Sequence, residues 1–195
     1  MPGPGPRIVG VLLAAGSGTR FGGHKLLAPL PDGTTVAVAA ARHLIDALPD
    51  SVAVLRPGDE TLAALLAAEG LRIVVNPNAD AGMGASLACG VSAVEADGWV
   101  IALADMPAIR LATIQAVAEA LATGASLAAP VYHGQRGHPI GFARGFRAAL
   151  TALTGDRGGR DILAQHSDEV RLIETDDPGV LVDIDHAADI VAGER

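Results

Sequence analysis

Aromatic residues and positive charge are scarce in this 195-residue sequence. It contains three Phe, one Trp and one Tyr, and its formal net charge is -8 at pH 7. Proteins that bind nucleic acid usually present a basic surface, together with aromatic side chains on which bases stack. These shortages argue against nucleic acid as a partner.

Cysteine and long apolar segments are also lacking. Cys89 is the single cysteine, which excludes an internal disulfide and a thiolate metal cluster. The longest apolar runs, such as residues 8–15, are far shorter than the ~20 residues needed to cross a bilayer. The sequence therefore predicts a protein of the reducing cytoplasm without a membrane segment. Its length predicts one domain over residues 1–195, with residues 1–6 as a disordered leader rich in Pro and Gly.

Short apolar runs alternate with alanine-rich helical stretches along most of the chain. The predicted strands are Ile8–Ala14, Val52–Leu55, Leu71–Val75, Trp99–Ala104 and Ser126–Tyr132. The predicted helices are Thr35–Leu48, Asp59–Glu69, Gly84–Glu95 and Leu111–Ala122. This alternation predicts an α/β fold, a mostly parallel sheet with helices on both faces. The last third has shorter strands and more charge, which suggests a small C-terminal lid or subdomain.

A glycine-rich turn follows the first predicted strand and ends at Lys25, the only lysine of the chain. Gly16 and Gly18 have no Cβ, so backbone N–H groups can turn toward an anion there. The spacing fits neither the dinucleotide fingerprint GxGxxG nor the P-loop GxxxxGK[ST]. Arg20 and Lys25 are two cations that could reach the β- and γ-phosphates of a nucleoside triphosphate. The alternative is a tight strand-to-helix turn with no ligand.

A carboxylate is predicted at the same edge of the sheet, because ligands bind where parallel strands end. Asp105 follows the fourth predicted strand in the segment LADMP. Mg²⁺ takes oxygen ligands and is often bound through one or two carboxylates together with substrate phosphates. We therefore predict that Asp105 binds Mg²⁺ with a second acid from the segment DID near the C-terminus.

These segments resemble a known family. LAAGSGTRFGGHK is similar to the signature LAAGxGxRxGxxK of nucleotidyltransferases with a Rossmann-like fold of the nucleotide-diphospho-sugar transferase type. NPNADAGMGASLACGV, YHGQRGHPIGF, GDRGGRDIL and DIDHAAD extend the likeness down most of the chain. Together they resemble the MobA-like molybdenum cofactor nucleotidyltransferases, in particular the cytidylyltransferase branch.

The resemblance implies a reaction and a metal. The terminal phosphate of molybdopterin would attack the α-phosphorus of CTP and expel pyrophosphate, with Mg²⁺ as cofactor and Lys25, Arg20 and Asp105 as catalytic residues. By the family pattern, Asp185 is the second metal ligand. The acidic motif departs from the family's DIDTPED, since His186, Ala187 and Ala188 replace Thr, Pro and Glu. Asp183 and Asp185 would alternate along a strand and could not both face one site, which predicts a structural role for Asp183.

The resemblance also assigns binding residues. Small side chains at Ala14 and Ala15 leave backbone groups free to meet a base edge, and LAAG rather than LAGG favours cytosine. Ser86 could instead cap a helix, and His138 could be structural. The predicted nucleotide-binding residues are Leu13, Ala14, Ala15, Gly16, Ser17, Gly18, Gly82, Met83 and Ser86. The predicted acceptor-binding residues are Arg136, Gly137, His138, Pro139 and Arg160.

Other functions remain open on the sequence alone. The chain could be a guanylyltransferase or another cofactor- or sugar-phosphate nucleotidyltransferase of the same fold. It could also be a non-catalytic chaperone that holds molybdopterin. A molybdoenzyme or its chaperone is a further possible partner under either hypothesis.

Overall fold

The computed structural model describes residues 5–16, 24–186 and 188–192. Every predicted strand and helix is present, with bounds that differ by a few residues. The strands are β1 (Ile8–Leu13), β2 (Val52–Leu55), β3 (Arg72–Val75), β4 (Gly98–Leu103), β5 (Leu127–Tyr132), β6 (Gln135–Arg136), β7 (Ile140–Ala143) and β8 (Val170–Glu174). The α-helices are α1 (Val36–Ala47), α2 (Glu60–Ala68), α3 (Met83–Ser92), α4 (Leu111–Ala122), α5 (Arg147–Thr151), α6 (Arg160–Gln165) and α7 (Asp189–Ala192).

The strands of the described residues form one mixed sheet. Its order is β3-β2-β1-β4-β7-β5-β6, and β8 also pairs with β5. Strands β3, β2, β1 and β4 are parallel neighbours, and β8 is parallel to β5. The carboxyl ends of β1, β2 and β4 therefore lie at one edge of the sheet, where an α/β fold binds its ligands.

Within the described residues, strands β7 and β8 of the last third belong to this sheet, whereas its composition suggested a lid or subdomain over the sheet edge. Strand β7 runs antiparallel between β4 and β5, and β8 extends the sheet beside β5. The physical reason is that β7 is short but buried, with Phe142 1% exposed. A buried strand gains more by completing the backbone pairing of β4 than by lying over an edge.

Alternate residues of the central strands face two separate apolar layers. On one face, Leu12 and Val100 pack with side chains of α1 and α4. On the other face, Val11 and Trp99 pack with side chains of α3, α5 and α6. This arrangement confirms the predicted sheet with helices on both sides, and it explains why the strands are continuous apolar runs in the sequence.

Helix α3 lies unusually close to the sheet. A Cβ on Gly90 would come within 2.6 Å of Val11 Cγ1 and 2.7 Å of Val54 Cγ2. Only glycine allows this approach, so the C-terminal half of α3 packs directly on β1 and β2.

None of the helices in the described ranges combines the length and the apolar character that a membrane crossing requires.

Candidate functional site

Backbone hydrogen bonds tie the residues that directly follow β1 and β4 to the neighbouring strands. The backbone N–H of Ala14 donates to Val54 O (2.9 Å), and that of Ala104 donates to Leu13 O (3.1 Å). Ala14 and Ala104 are both buried. The predicted phosphate turn and Asp105 therefore start from adjoining, rigid positions at the carboxyl edge.

Three carboxylates meet at this edge. Asp105, Asp183 and Asp185 each offer an oxygen, and these oxygens lie within 4.8 Å of one another. The prediction that Asp183 and Asp185 could not both face one site is wrong. It assumed a strand, whereas residues 182–185 have no regular secondary structure. Side-chain alternation is a property of strands, so an irregular segment can direct both acids inward.

The segment that carries the two C-terminal acids is tied to the sheet by its backbone. Ile184 N–H donates to Asp105 O (2.9 Å), which fixes the segment beside the end of β4. The Asp189 carboxylate accepts from Asp185 N–H (2.9 Å) and His186 N–H (2.6 Å) at the start of α7. Two elements far apart in sequence therefore supply one acidic cluster, which we call the carboxylate cluster (Asp105, Asp183 and Asp185).

Lys25 lies against the carboxylate cluster. Its Nζ donates to Asp105 Oδ2 at 2.8 Å and to Asp185 Oδ1 at 3.0 Å, and 12% of the side chain is exposed. Burial lowers the pKa of Lys25, but hydrogen bonds and attraction from the two carboxylates outweigh burial and raise it above 10.5. Lys25 is therefore an ammonium at neutral pH. In this structure it neutralises acids, whereas the sequence predicted that it grips phosphate.

His138 lies near the same cluster. Its Nδ1 is buried and has no hydrogen-bond partner within the described part of the chain. Burial lowers its pKa below 6.5; the charges of Asp105 and Asp183 act in the opposite direction, and those of Arg160 and Arg136 lower it further. The charges that act on His138 thus come from two members of the carboxylate cluster and from two of the predicted acceptor residues.

The low pKa of His138 predicts a loss of stability in mild acid. An unfolded chain takes up this proton more readily than the folded one, so the contribution is complete above about pH 6.5 and is lost as the pH falls toward the folded-state pKa. We expect melting temperature to fall less on acidification in His138→Gln than in the unmutated protein. Thermal denaturation in a chelating buffer over this range measures it; equal falls would contradict the assignment.

The predicted acceptor residues differ in exposure. Arg136, in β6, and Arg160, the first residue of α6, are exposed, whereas Gly137 and Pro139 are buried. A Cβ on Gly137 would clash with Val180 O, and His138 N–H donates to that same oxygen at 2.9 Å. The segment RGHP therefore packs against Val180, in the segment that leads to Asp183. The side chains of Arg136 and Arg160 are open to solvent.

Two of the predicted nucleotide residues begin α3. Gly82 has φ +110°, and a Cβ there would meet the Asp156 side chain and the Gly155 backbone. Met83, the first residue of α3, is 47% exposed. The GDRGGR segment therefore packs directly against the turn that enters α3, so the two motifs adjoin.

Ser86 does not cap α3. Gly82 is the residue before the helix, and Ser86 lies one turn inside it, 4% exposed. Its Oγ accepts a hydrogen bond from Asn76 Nδ2 at 3.1 Å. The capping alternative is wrong because Gly82 occupies the N-cap position and the Ser86 hydroxyl bonds to Asn76 instead. Base binding by Ser86 stays a prediction.

A cavity of about 400 Å³ opens beside the β1 turn. It is lined by Gly16, Lys25 and residues of the β2–α2 connection, including Arg56 and Asp59. The sequence analysis did not predict Arg56 as a site residue. Arg56 directly follows β2, however, and ligands bind where parallel strands end, which is the rule that identified Asp105 (the carboxyl-edge rule). Leu13, Ala14 and Ala15 precede Gly16 at the rim, while the predicted residues Ser17, Gly18 and Arg20 lie outside the described residues.

A family model matches residues 10–170, a span that includes the β1 turn, Lys25, Asp105 and the RGHP segment; its description is the MobA-like NTP transferase domain. The chain belongs to this family. Nicotine blue oxidoreductase of Paenarthrobacter nicotinovorans is 34% identical, with 92% of this chain and 93% of that protein aligned. Purine catabolism protein PucB of Bacillus subtilis (strain 168) is 30% identical, with 92% of each aligned.

Solved structures with the same fold are consistent with this family membership. Rv0371c from Mycobacterium tuberculosis H37Rv has a TM-score of 0.85 at 29% identity, with 97% of both chains covered. A structure of Rv0371c in complex with manganese has a TM-score of 0.81 at 28% identity, covering 95% of this chain and 97% of that one. A nucleotidyl transferase from Methanothermobacter thermautotroptrophicus has a TM-score of 0.81 at 27% identity, with 95% of both covered.

The carboxylate cluster fits a divalent cation. Ligand oxygens of Mg²⁺ lie 2.0–2.1 Å from the ion, so two of them are at most about 4.2 Å apart. The present spread of up to 4.8 Å needs only small side-chain rotations to reach that value. Hard oxygen donors are also the ligands that Mg²⁺ and Mn²⁺ prefer. Lys25, which contacts two of the three acids, lines the cavity.

Proposed function

We propose that this MobA-like protein is a divalent-cation-dependent nucleotidyltransferase that moves a cytidylyl group from CTP to molybdopterin. One observation supports this most strongly: three carboxylates and Lys25 gather where the β1 turn and β4 end, as a phosphate-transfer site requires. An acceptor phosphate oxygen would bond to the α-phosphorus of CTP. The bond from that phosphorus to the bridging oxygen would break, and its electron pair would leave with pyrophosphate.

The described residues divide this work between them. The proposed roles of Asp105, Asp183 and Asp185 are to hold Mg²⁺, which when bound would neutralise phosphate charge. Lys25, which contacts two of these acids, would donate its ammonium hydrogen bonds to the leaving pyrophosphate. Arg136 and Arg160 are planar donors suited to the acceptor's phosphate. The protein needs no covalent intermediate, because nucleotidyl transfer depends on positioning and on charge neutralisation.

His138 is assigned to positioning the acceptor. A phosphate nucleophile is already ionised at neutral pH, so no general base is needed. The low pKa of His138 keeps the ring neutral, and a neutral imidazole can donate one hydrogen bond and accept another. Its Nδ1, which has no hydrogen-bond partner among the residues that the structure describes, is available for the pterin or for a water bound with it.

A nucleotide series tests the donor. We expect CTP, among CTP, GTP, ATP and UTP, to raise the melting temperature most in the presence of Mg²⁺. A ligand at a hundredfold excess over its Kd stabilises by ~2.7 kcal/mol, which a thermal scan resolves. Equal shifts with GTP would contradict the cytidine assignment, and no shift with any nucleotide would contradict nucleotide transfer.

Lys25→Arg separates the charge of this residue from its shape. It preserves the positive charge, so the melting temperature should barely change, but a planar fork replaces a compact ammonium in a site where 12% of the side chain is exposed. We expect at least a tenfold loss of turnover, equivalent to ~1.4 kcal/mol of transition-state stabilisation. Near-normal turnover would assign the phosphate role to other groups. Arg42→Lys, at a surface ion pair, is the control for exchanging one cation for another.

A second candidate comes from one relative's name, nicotine blue oxidoreductase, borne by a protein 34% identical to this chain. Hydride transfer from NADH or NADPH to a quinone-like dye would use the same cavity for a dinucleotide. Hydride transfer does not require the carboxylate cluster, and we therefore rank this candidate second. Oxidation of NADPH by such a dye, unaffected by a metal chelator, would favour this candidate.

A further inference from the structure

The further inference concerns the cavity wall formed by the β2–α2 connection. Arg56 follows β2 directly and lines the cavity with 27% of its side chain exposed. Its Nη2 donates to Asp80 Oδ1 at 2.6 Å, in the turn that leads to Gly82 and α3. Arg56 therefore connects the predicted nucleotide turn with the wall of the cavity.

Most of the donors of this guanidinium are unused. An arginine carries five N–H donors, and Asp80 is the acceptor that Arg56 meets within the described ranges. Its Nε is buried with no partner there. Because Nε is shielded from solvent, a ligand in the cavity would meet the Nη1 and Nη2 donors that Asp80 does not use.

Arg56 and the carboxylate cluster, where the reacting phosphate is proposed to bind, follow different strands of the sheet. The sheet runs β2-β1-β4, so Arg56 and Asp105 emerge from strands that flank β1 on opposite sides. Neighbouring strands lie about 4.8 Å apart, which puts the two strand ends about 10 Å from each other. A nucleotide with its α-phosphate at the carboxylate cluster would extend a different part of the molecule to Arg56.

Local charge indicates which part. Asp80 pairs with Arg56 and balances its charge, whereas the Lys25 ammonium lines the same cavity and contacts the carboxylate cluster. The phosphates are therefore expected at Lys25, and the uncharged base at Arg56. A guanidinium held by a carboxylate offers its remaining donors in a fixed plane, the geometry that reads a base edge.

We propose that Arg56 selects the base of the nucleotide, a role that rests on the proposed nucleotidyl transfer and deepens it. Its parallel donors match a base edge with two adjacent acceptors. Cytosine presents N3 beside O2, and guanine presents N7 beside O6. In uracil and adenine the neighbouring positions alternate donor and acceptor. Arg56 thus favours cytosine or guanine over uracil and adenine, in keeping with a CTP donor.

Calorimetric binding of CTP, GTP, UTP, ATP and inorganic triphosphate tests this without an activity assay. Two variants of the full chain are compared: Arg56→Ala removes the donors, and Arg56→Lys keeps the charge but loses the planar fork. We expect both to bind CTP about tenfold more weakly or worse, near the level of UTP, with triphosphate affinity unchanged. Arg42→Ala is the matched control, because Arg42 pairs with Glu69 outside the cavity.

Each outcome separates this inference from the proposed function. Retained CTP preference in both variants would overturn the role of Arg56 and leave cytidylyl transfer standing. Preference of the unmutated protein for GTP, lost in both variants, would support Arg56 and overturn the CTP assignment. Equal weakening of all nucleotides and of triphosphate would make Arg56 a phosphate contact and overturn the inference. Melting temperatures measured alongside show that the variants are folded.

Discussion

Asp105→Asn is expected to lower nucleotidyl transfer by about a hundredfold or more, and higher nucleotide concentration should not restore it. The amide keeps the shape of the side chain but removes a charge from the carboxylate cluster and an acceptor from Lys25, which Asp105 meets at 2.8 Å. Metal neutralisation of phosphate charge contributes several kcal/mol, and each ~1.4 kcal/mol is tenfold in rate. Pyrophosphate release at saturating nucleotide measures this loss.

The matched control for this variant is Asp176→Asn. Asp176 is 96% exposed and pairs with Arg110 at the surface, away from the cluster. We expect its turnover to stay close to that of the unmutated protein. If Asp105→Asn also stayed within a few-fold at low Mg²⁺, Asp105 would not be a metal ligand.

Lys25→Met is expected to have the second largest effect, because it removes the ammonium that neutralises the carboxylate cluster. Three acids with oxygens within 4.8 Å would then repel one another. The melting temperature should fall in a chelating buffer, and Mg²⁺ or Mn²⁺ should raise it more than in the unmutated protein. The raised pKa of Lys25 means that its stabilisation is complete below pH 10.5 and lost only above, so neutral pH suits the measurement.

Arg42→Met is the matched control for this second variant, because Arg42 forms a surface ion pair with Glu69. It removes one positive charge from the chain, as Lys25→Met does, but leaves the carboxylate cluster intact. We expect its melting temperature to respond to Mg²⁺ as that of the unmutated protein does. An equal response of Lys25→Met and Arg42→Met would contradict the neutralising role of Lys25.

The parts of the fold that local pattern determines could be predicted from the sequence. Strands β1 and β4 are buried runs of six residues, and α1 and α4 have strong apolar faces. Asp105 could be predicted too, because the carboxyl-edge rule needs only the end of a strand and a carboxylate after it. The same rule applies to Arg56, but no motif singled out that residue.

The parts that depend on distant contacts could not be predicted. The position of β7 between β4 and β5 follows from pairing partners far away in sequence. Asp183 joins the cluster because the Ile184 backbone bonds to Asp105 across the molecule, which no local pattern records. The pairing of Lys25 with two acids was missed for the same reason, while the roles of Ser17, Gly18 and Arg20 stay predictions.

Pyrophosphate release from CTP in the presence of molybdopterin tests the central claim most directly. The proposed site predicts one pyrophosphate for each cytidylylated pterin, detected together by mass spectrometry, with the reaction abolished by a metal chelator and by Asp105→Asn. Binding of CTP and molybdopterin without pyrophosphate would instead indicate a chaperone that holds the pterin, and would contradict the assignment of this chain as a nucleotidyltransferase.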